Sequence, residues 1–264
     1  MNITKLRDAW ERWGKVDPMW AVLTAPDMTD RRWDPEEFFL TGEREIAEVL
    51  DHLQRLAIEL RLGSALDFGC GVGRLTQALS KHFERVIGVD IAPSMLAKAR
   101  ELGRAGPRIE FVLNQEDNLR VFEAGSFDFV YSNLTLQHMP PSLARVYLAE
   151  FARVLKGGGC LAFQLPSGRR RQPVAWKRLV RKVVPTPIID GVVRWKVRRA
   201  AVERGLPVME VYSVPKRDMV DFLHDRGLRV VVAEEREEVG SVWLSCWYFV
   251  TKPEVPLSSP TRSA

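Results

Sequence analysis

Residues 66–76 have the sequence LDFGCGVGRLT, in which a short apolar run is followed by three closely spaced glycines. The apolar residues 65–68 predict a buried strand, and the pattern over residues 75–83 predicts a helix. Glycines at positions 69, 71 and 73 allow a sharp turn, and we expect this turn to expose backbone N–H groups to a ligand. The stretch therefore predicts a strand, a ligand-binding turn and a helix in succession.

The same alternation continues along the chain. Further strands are predicted at residues 85–90, 109–113, 127–132, 160–165, 228–233 and 242–250. Further helices are predicted at residues 41–62, 94–102, 143–155 and 217–226. The glycines at 157–159 are expected to stop the helix before them. Apolar strands separated by helices of this length are typical of a parallel sheet covered on both faces, so the sequence predicts an α/β domain.

Composition excludes several other classes of protein. The chain has 264 residues, of which 46% are hydrophobic and 28% are charged, as in an ordinary globular protein rather than a disordered or fibrous one. The sequence contains no apolar run of transmembrane length, and its first residues lack the apolar core of a secretory signal. Three cysteines are too few for a disulfide framework or a zinc site, so no metal site is expected. These observations predict a cytoplasmic location.

The positive charge is concentrated in one segment. Residues 169–204 hold 12 Lys and Arg against two acids, so the segment carries +10 while the rest of the chain carries −5. Apolar residues in this segment repeat at helical spacing and predict two basic amphipathic helices. Three roles remain open for them: a lid packed on the sheet, a peripheral contact with an anionic membrane or glycolipid, and a contact with nucleic acid, which is the less favoured.

The glycine-rich turn does not fit a dinucleotide-binding enzyme. The fingerprint of such enzymes needs glycine at position 74, where this chain has Arg74. In addition, Asp67 stands two residues before the first glycine, and its carboxylate would repel a pyrophosphate but suits an ammonium group. A dehydrogenase is therefore disfavoured.

Four segments, in order and at the usual spacing, resemble the class I S-adenosylmethionine-dependent methyltransferases. LDFGCGVGRLT (66–76) resembles their first motif, and VIGVDIAPSMLAKAR (86–100) resembles the second. SFDFVYSNLTLQHM (126–139) and FARVLKGGGCLAF (151–163) resemble the segments around the fourth and fifth strands. The resemblance spans residues 41–166 and, more loosely, the last two strands.

The resemblance implies a fold, a domain organisation and a cofactor. The fold would be a Rossmann-like, mostly parallel sheet of seven strands with the last strand antiparallel, an N-terminal helical cap and a helical insertion after strand five. The cap would occupy residues 1–40, which have no clear local pattern and are predicted to be irregular. The methyltransferase domain would occupy 41–251, with the basic insertion at 167–212, and a disordered tail would occupy 252–264. The cofactor would be S-adenosylmethionine, and the product S-adenosylhomocysteine.

The resemblance also assigns roles at the ends of the first two strands. Asp67 and the backbone of Gly69 and Gly71 would hold the methionyl end of the cofactor. Asp90 would accept both ribose hydroxyls, since one carboxylate offers two acceptor oxygens, and Ile91 would pack on the adenine. Each acid also has a purely structural alternative, as an N-terminal acid of a helix or a turn residue at a strand end.

Other positions within the matching segments are predicted to contact the cofactor. Cys70 and Asn133 are two of these. The segment after strand three departs from the family pattern, because Gln115 stands where many relatives have the aspartate that holds the adenine amino group. Gln115, Glu116 and Asp117 are the alternatives for that contact.

One histidine is a candidate general base. His52, His82 and His224 lie on predicted helices away from the motif loops, whereas His138 follows the fourth strand at the edge where the reacting methyl group is expected. We predict that His138 removes a proton from the acceptor or orients it. The alternative is a loop histidine with a structural hydrogen bond.

Substrate choice in this family depends largely on the cap and on insertions after strand five. Trp33 and Phe39 are predicted to line an acceptor pocket, with an internally packed aromatic cap as the alternative. The preferred function is O-methylation of a small metabolite, a sugar or a lipid-linked glycan. An RNA methyltransferase that uses residues 169–204 and a non-catalytic cofactor-binding protein of the same fold remain as alternatives.

Overall fold

One sheet of seven strands organises the computed structural model, which describes residues 3–24, 33–103, 106–169, 207–237 and 243–254. The strands are β1 Ser64–Phe68, β2 Arg85–Asp90, β3 Ile109–Leu113, β4 Phe127–Ser132, β5 Leu155–Arg169, β6 Arg229–Glu237 and β7 Trp243–Thr251. Their order across the sheet is β3-β2-β1-β4-β5-β7-β6. Neighbouring strands are parallel except that β7 runs antiparallel to both β5 and β6. The predicted Rossmann-like fold class is confirmed.

Helices cover both faces of this sheet. They are α1 Ile3–Val16, α2 Pro18–Val22, α3 Pro35–Arg55, α4 Arg74–Leu79, α5 Pro93–Leu102, α6 Pro141–Val154 and α7 Lys216–His224. A short 3₁₀ turn, Leu136–His138, follows β4. No described helix is both long enough and apolar enough to cross a membrane.

The central strands are buried because their side chains pack into two separate hydrophobic cores. β1 and β4 are buried along their whole length. Leu66 and Val130 belong to one core, with Phe151 of α6, whereas Ala65 and Phe129 belong to the other, with residues of α3 and α4. Alternate residues of a strand point to opposite faces, so each core fills one face of the sheet. This packing places the carboxyl ends of β1, β2 and β4 at one edge.

Two element boundaries differ from prediction for identifiable reasons. Helix α3 was predicted over 41–62, but it begins at Pro35 because the side chain of Asp34 accepts a hydrogen bond from Glu37 N at 3.0 Å. It ends before Ala57, whose φ is +53°. Strand β5 was predicted over 160–165, but it begins at Leu155 and includes the three glycines, where its register with β4 shifts. The glycines lie in an irregular part of this strand, which begins directly after the preceding helix ends at Val154.

The described part of residues 1–40 is mostly helical, as the helical cap implied by the family resemblance requires, so the irregular structure predicted from the local pattern is wrong. Helices α1 and α2 lie in this segment, and α3 starts in it. The sequence carried a signal for α1, since Ile3, Leu6, Trp10 and Trp13 recur at three- and four-residue spacing. Together α1 and α2 form the part of the cap that the structure describes.

Two predictions fall largely outside the described residues. The two basic helices predicted within 169–204 and the tail predicted over 252–264 lie mostly in residues 170–206 and 255–264, respectively. At the edge of the insertion, the guanidinium of Arg169 lies 4.8 Å from the centre of the Trp243 ring. The described residues contain no group of three or more His, Cys, Asp or Glu that could hold a metal ion.

Candidate functional site

A cavity that opens to solvent lies between the carboxyl ends of the central strands and the cap helices. Such an edge, where the chain crosses over on both sides of β1, is the usual ligand site of an open α/β sheet. The cavity brings together six of the predicted cofactor-binding residues: Gly69, Cys70, Gly71, Asp90, Ile91 and Asn133.

The glycine-rich turn connects β1 to the end of β2. Gly69 and Gly71 have φ of +75° and +53°, conformations that favour glycine. The N–H groups of Gly69 and Cys70 donate to Val89 O at 2.8 and 3.1 Å, and the N–H of Gly71 donates to Asp90 Oδ2 at 2.8 Å. The expectation that these N–H groups face a ligand is therefore wrong, because the turn folds back onto β2 and uses them there.

Asp90 presents a pre-oriented carboxylate to the cavity. Its Oδ2 accepts from Gly71 N at 2.8 Å, and its Oδ1 accepts from Ala92 N at 2.9 Å. Burial raises the pKa of Asp90 above its ordinary value, and the backbone hydrogen bonds oppose that rise. A carboxylate has about four acceptor positions, so each oxygen can accept a further hydrogen bond. The arrangement suits a ligand with two adjacent hydroxyl groups.

Asp67 lies beneath the cavity and does not line it. The residue is 1% exposed, and its Oδ2 accepts a hydrogen bond from Thr76 Oγ1 at 2.6 Å. Burial raises the pKa of Asp67 to about 7, and the Thr76 hydrogen bond opposes this. The neighbouring charges partly cancel, since Arg74 lowers the pKa while Glu45 and Asp90 raise it. Asp67 is therefore a buried acid that changes its charge near neutral pH.

A buried ionic network that the sequence analysis did not anticipate forms one wall of the site. Arg74 is 3% exposed, and its Nη2 donates to Glu45 Oε2 at 2.7 Å. Glu45 Oε1 accepts from Tyr131 OH and from Asn133 Nδ2, both at 2.7 Å. Since the carboxylate can only accept, the amide nitrogen of Asn133 faces it, and Asn133 Oδ1 has no donor among the described residues. That buried oxygen therefore has an unused acceptor position in a residue that lines the cavity.

The sequence alone did not predict this ionic network, because its members are far apart in sequence. Glu45 lies on α3, Arg74 begins α4, and Asn133 follows β4. Arg74 was considered only as the residue that replaces a glycine. Removing one partner of such a buried pair leaves an uncompensated charge, which typically costs about 3–5 kcal/mol. The network therefore fixes α3 and α4 against the end of β4.

The loop after β3 contributes a different residue from those predicted. Gln115, Glu116 and Asp117 are exposed and do not line the cavity. Asn114 does line the cavity. Its backbone N–H donates to Asp90 O at 3.0 Å, and its side-chain Nδ2 donates to Asn118 O at 2.7 Å.

His138 is buried against the cap, in a second and smaller cavity. Its Nδ1 lies 2.8 Å from Glu210 O, and its ring meets that of Trp10 edge to face, with centroids 5.2 Å apart. Burial lowers the pKa of His138, and the hydrogen bond to Glu210 O opposes this. His138 and Trp10 both line this small cavity, and Trp10 lines the main cavity as well.

Trp33 and Phe39 do not line the main cavity. The Trp33 ring is buried against Phe38, and its Nε1 donates to Leu23 O at 3.2 Å. Phe39 borders a groove on the outer side of α3. The cap residues that do reach the main cavity are Leu6 and Trp10 of α1 and Ala21 and Val22 of α2.

Comparisons with known proteins agree with this geometry. A family model described as a methyltransferase domain matches residues 65–159. The trans-aconitate 2-methyltransferase of Deinococcus radiodurans is 34% identical over 139 residues, which cover 51% of this chain and 50% of that protein. The ubiquinone biosynthesis O-methyltransferase of Bordetella avium is 32% identical over 134 residues, which cover 50% of this chain and 55% of that protein. The chain thus spans about half the length of the curated relatives it matches.

The fold is also that of solved methyltransferases. Magnesium protoporphyrin IX methyltransferase from Synechocystis PCC 6803, with bound SAH, superposes with a TM-score of 0.63 and 18% identity, covering 95% of this chain and 100% of that one. A methyltransferase from Methanosarcina mazei superposes with a TM-score of 0.54 and 20% identity, covering 74% of this chain and 95% of that one. The family match over residues 65–159, the four motifs and the sheet order agree: this part of the chain is similar to the class I S-adenosylmethionine-dependent methyltransferases.

The buried acid Asp67 should make the ligand-free protein less stable as the pH rises from about 4 to 7. An acid whose pKa is raised on folding releases its proton first in the unfolded chain, so the unfolded state is favoured over that interval. Asp67→Asn keeps an acceptor for Thr76 and removes the titration. We expect its melting temperature to decline less than that of the wild type between about pH 5 and about pH 7.5.

Asp128→Asn provides the matched control. Asp128 is also buried and accepts from Ser64 N, but its pKa is lowered because hydrogen bonds from Lys156 and Ser64 outweigh burial. Asp128 is charged throughout the interval, so its replacement should lower the melting temperature about equally at both pH values. If the melting temperatures of the wild type and of Asp67→Asn change equally with pH, the assignment of a raised pKa to Asp67 is contradicted.

Proposed function

We propose that this protein binds S-adenosylmethionine and transfers its methyl group to an oxygen atom of a small-molecule acceptor. The proposal rests on the position of the Asp90 carboxylate. It accepts hydrogen bonds from Gly71 N and Ala92 N and lines the cavity. A ribose with free 2′ and 3′ hydroxyls is the ligand group that this carboxylate suits.

The remaining parts of the cavity fit the rest of that cofactor. Ile91 and Met95 offer apolar surface next to Asp90, where the adenine would pack, and Asn114 offers polar groups at its edge. The free Asn133 Oδ1 would accept from the ammonium of the methionyl end. Asp67, one layer deeper, would add negative charge beneath that ammonium. The predicted contacts of Gln115 and Glu116 with the adenine stay predictions, and these residues lie outside the cavity.

The bound cofactor would supply a methyl group on a positively charged sulfur. The task of the protein is then to exclude water and to align the acceptor atom behind that methyl group. Alignment alone can supply about 7–11 kcal/mol of barrier reduction. The apolar cap side of the cavity, formed by Leu6, Trp10, Ala21 and Val22, would provide both functions.

The choice of an oxygen acceptor draws on the relatives and remains part of the proposal. One relative is named an O-methyltransferase of ubiquinone biosynthesis, and others are named trans-aconitate 2-methyltransferases. The earlier range of acceptors, a small metabolite, a sugar or a lipid-linked glycan, stays a prediction. A dehydrogenase is further disfavoured because the N–H groups of Gly69, Cys70 and Gly71 already donate within the protein and cannot hold a pyrophosphate.

Asp90→Asn should weaken the binding of S-adenosylhomocysteine by about 100-fold or more. Hydrogen bonds to a charged group contribute about 1.5–3 kcal/mol each, and the proposal assigns two of them to Asp90. The asparagine also turns an N–H₂ donor toward one of the two backbone N–H groups that now donate to the carboxylate. Isothermal titration calorimetry of the two proteins measures the difference.

Asp218→Asn is the control, since Asp218 is an exposed acid on α7, a helix that does not line the cavity. Its affinity for S-adenosylhomocysteine should equal that of the wild type. A wild-type protein that ignores S-adenosylhomocysteine but binds a nicotinamide dinucleotide would overturn the proposed function.

We further propose that the basic segment contacts an anionic surface, on the evidence of its sequence alone. Its 12 basic residues alternate with apolar ones at helical spacing, a pattern that suits anionic lipid or a lipid-linked anionic acceptor. In a flotation assay at low salt, we expect the protein to rise with vesicles that contain phosphatidylglycerol and not with vesicles of phosphatidylcholine alone. Replacing Lys177, Arg178, Arg181 and Lys182 by glutamine should abolish flotation. If the wild type does not float with anionic vesicles, the proposal fails.

A further inference from the structure

The cap side of the main cavity is apolar, in contrast to the strand side. Leu6 and Trp10 of α1 and Ala21 and Val22 of α2 line it, and Met139 completes it after β4. The charged and amide groups of the cavity lie on the strands and on the elements that immediately follow them. A ligand that fills both sides therefore has one polar and one apolar part.

Trp10 is the largest side chain on the cap side, and a histidine fixes its position. The His138 ring meets the Trp10 ring at 70°, with centroids 5.2 Å apart. This edge-to-face geometry is a favourable one for aromatic pairs. Trp10 thus separates the main cavity from the smaller one behind it, where His138 lies.

Both ring nitrogens of His138 have partners within the protein. A carbonyl oxygen only accepts, so Nδ1 carries the hydrogen that is donated to Glu210 O. In the neutral imidazole Nε2 is then an acceptor, and the amide nitrogen of Gln137 lies 3.3 Å from it. His138 does not line the main cavity. This environment suits a residue that holds its neighbours in place.

The backbone around His138 joins three elements. Residues 207–214, which we call the strap, pack between α1 and the 3₁₀ turn. Trp13 Nε1 donates to Pro207 O at 3.1 Å, and Tyr212 N donates to Gln137 O at 2.7 Å. His138 therefore connects the strap, the turn after β4 and the aromatic face of α1.

We propose that Trp10 is the wall against which the planar, apolar body of the acceptor packs, and that His138 is a positioning residue that sets the angle of that wall. The acceptor would be a hydroxylated aromatic or conjugated ring. A sugar in the same place would leave hydroxyl groups without partners against Leu6, Val22 and Met139, and each buried hydroxyl without a partner weakens binding. The inference rests on the proposed function, because it needs the cofactor on the strand side.

The experiment uses 2-naphthol as the probe and the full chain saturated with S-adenosylhomocysteine. We expect 2-naphthol to bind measurably more tightly than methyl glucoside. Trp10→Leu should weaken 2-naphthol binding about tenfold or more, as expected for an aromatic residue at the centre of a contact, whereas Trp10→Phe should retain most of it. Trp33→Leu changes a tryptophan of the same cap that does not line the cavity, and it should leave the affinity unchanged.

His138 is tested with two variants. His138→Asn keeps a donor for Glu210 O but cannot serve as a base, whereas His138→Ala loses both. If His138 is a positioning residue, His138→Asn should bind 2-naphthol more tightly than His138→Ala. Any methyl transfer to 2-naphthol should keep the pH profile of the wild type. Equal affinity of both variants with the wild type, or loss of turnover in His138→Asn with unchanged affinity, would overturn the positioning role.

The outcomes separate this inference from the proposed function. If the wild type does not bind S-adenosylhomocysteine, the proposed function fails. If it binds S-adenosylhomocysteine but binds 2-naphthol no better than methyl glucoside, or if Trp10→Leu binds 2-naphthol as the wild type does, only the inference about Trp10 fails. If Trp10→Leu does not fold, the 2-naphthol affinities of Trp10→Phe and of Trp10→Tyr, which adds a hydroxyl group, still test whether the acceptor packs on residue 10.

Discussion

The hydrogen bond from Gly71 N to the carboxylate of Asp90 joins the first turn of the domain to the end of the second strand. It requires a positive φ at Gly71, and it leaves no room there for a side chain, since a Cβ on Gly71 would lie 2.4 Å from a methyl group of Val22. The same bond orients the carboxylate toward the cavity. The turn, the strand end and the cap therefore depend on one another, and the ligand site is where they meet.

The electrostatics of the site follow from burial. Three carboxylates, those of Asp67, Asp90 and Glu45, lie close together at this edge of the sheet, and Arg74 is the cation beside them. Glu45 is satisfied by Arg74 and by two neutral donors, and Asp90 by backbone N–H groups. Asp67 accepts from the Thr76 hydroxyl, and burial raises its pKa to about 7. A positively charged ligand group would offset the excess negative charge of these carboxylates.

The sequence was sufficient for the sheet because each central strand is a local apolar run. Strands β2, β3 and β4 have the predicted bounds, and Asp90 and the glycines lie where their motifs indicate. A helical cap was expected from the family resemblance, but the bounds of its helices were not predicted, although α1 carries a helical spacing. Composition could not show that Trp10 rather than Trp33 reaches the cavity, since that depends on how α1 packs.

Contacts between distant segments set the rest of the site, and local patterns do not encode them. Glu45 meets Arg74 and Asn133 only because α3 packs beside the end of β4. Likewise, His138 follows β4 as predicted. Its surroundings, however, depend on the strap, which is distant in sequence and contacts His138 and Gln137. The residues named from motifs therefore lie largely on the strand side of the cavity, and the residues found only in the structure lie on its cap side and along its ionic wall.

The most direct measurement is a crystal structure of the full chain with S-adenosylhomocysteine. The account predicts both ribose hydroxyls within hydrogen-bonding distance of the Asp90 carboxylate oxygens, and the sulfur pointing toward the space beside Trp10. A nucleoside bound elsewhere on the protein, or a ribose with no contact to Asp90, would contradict it.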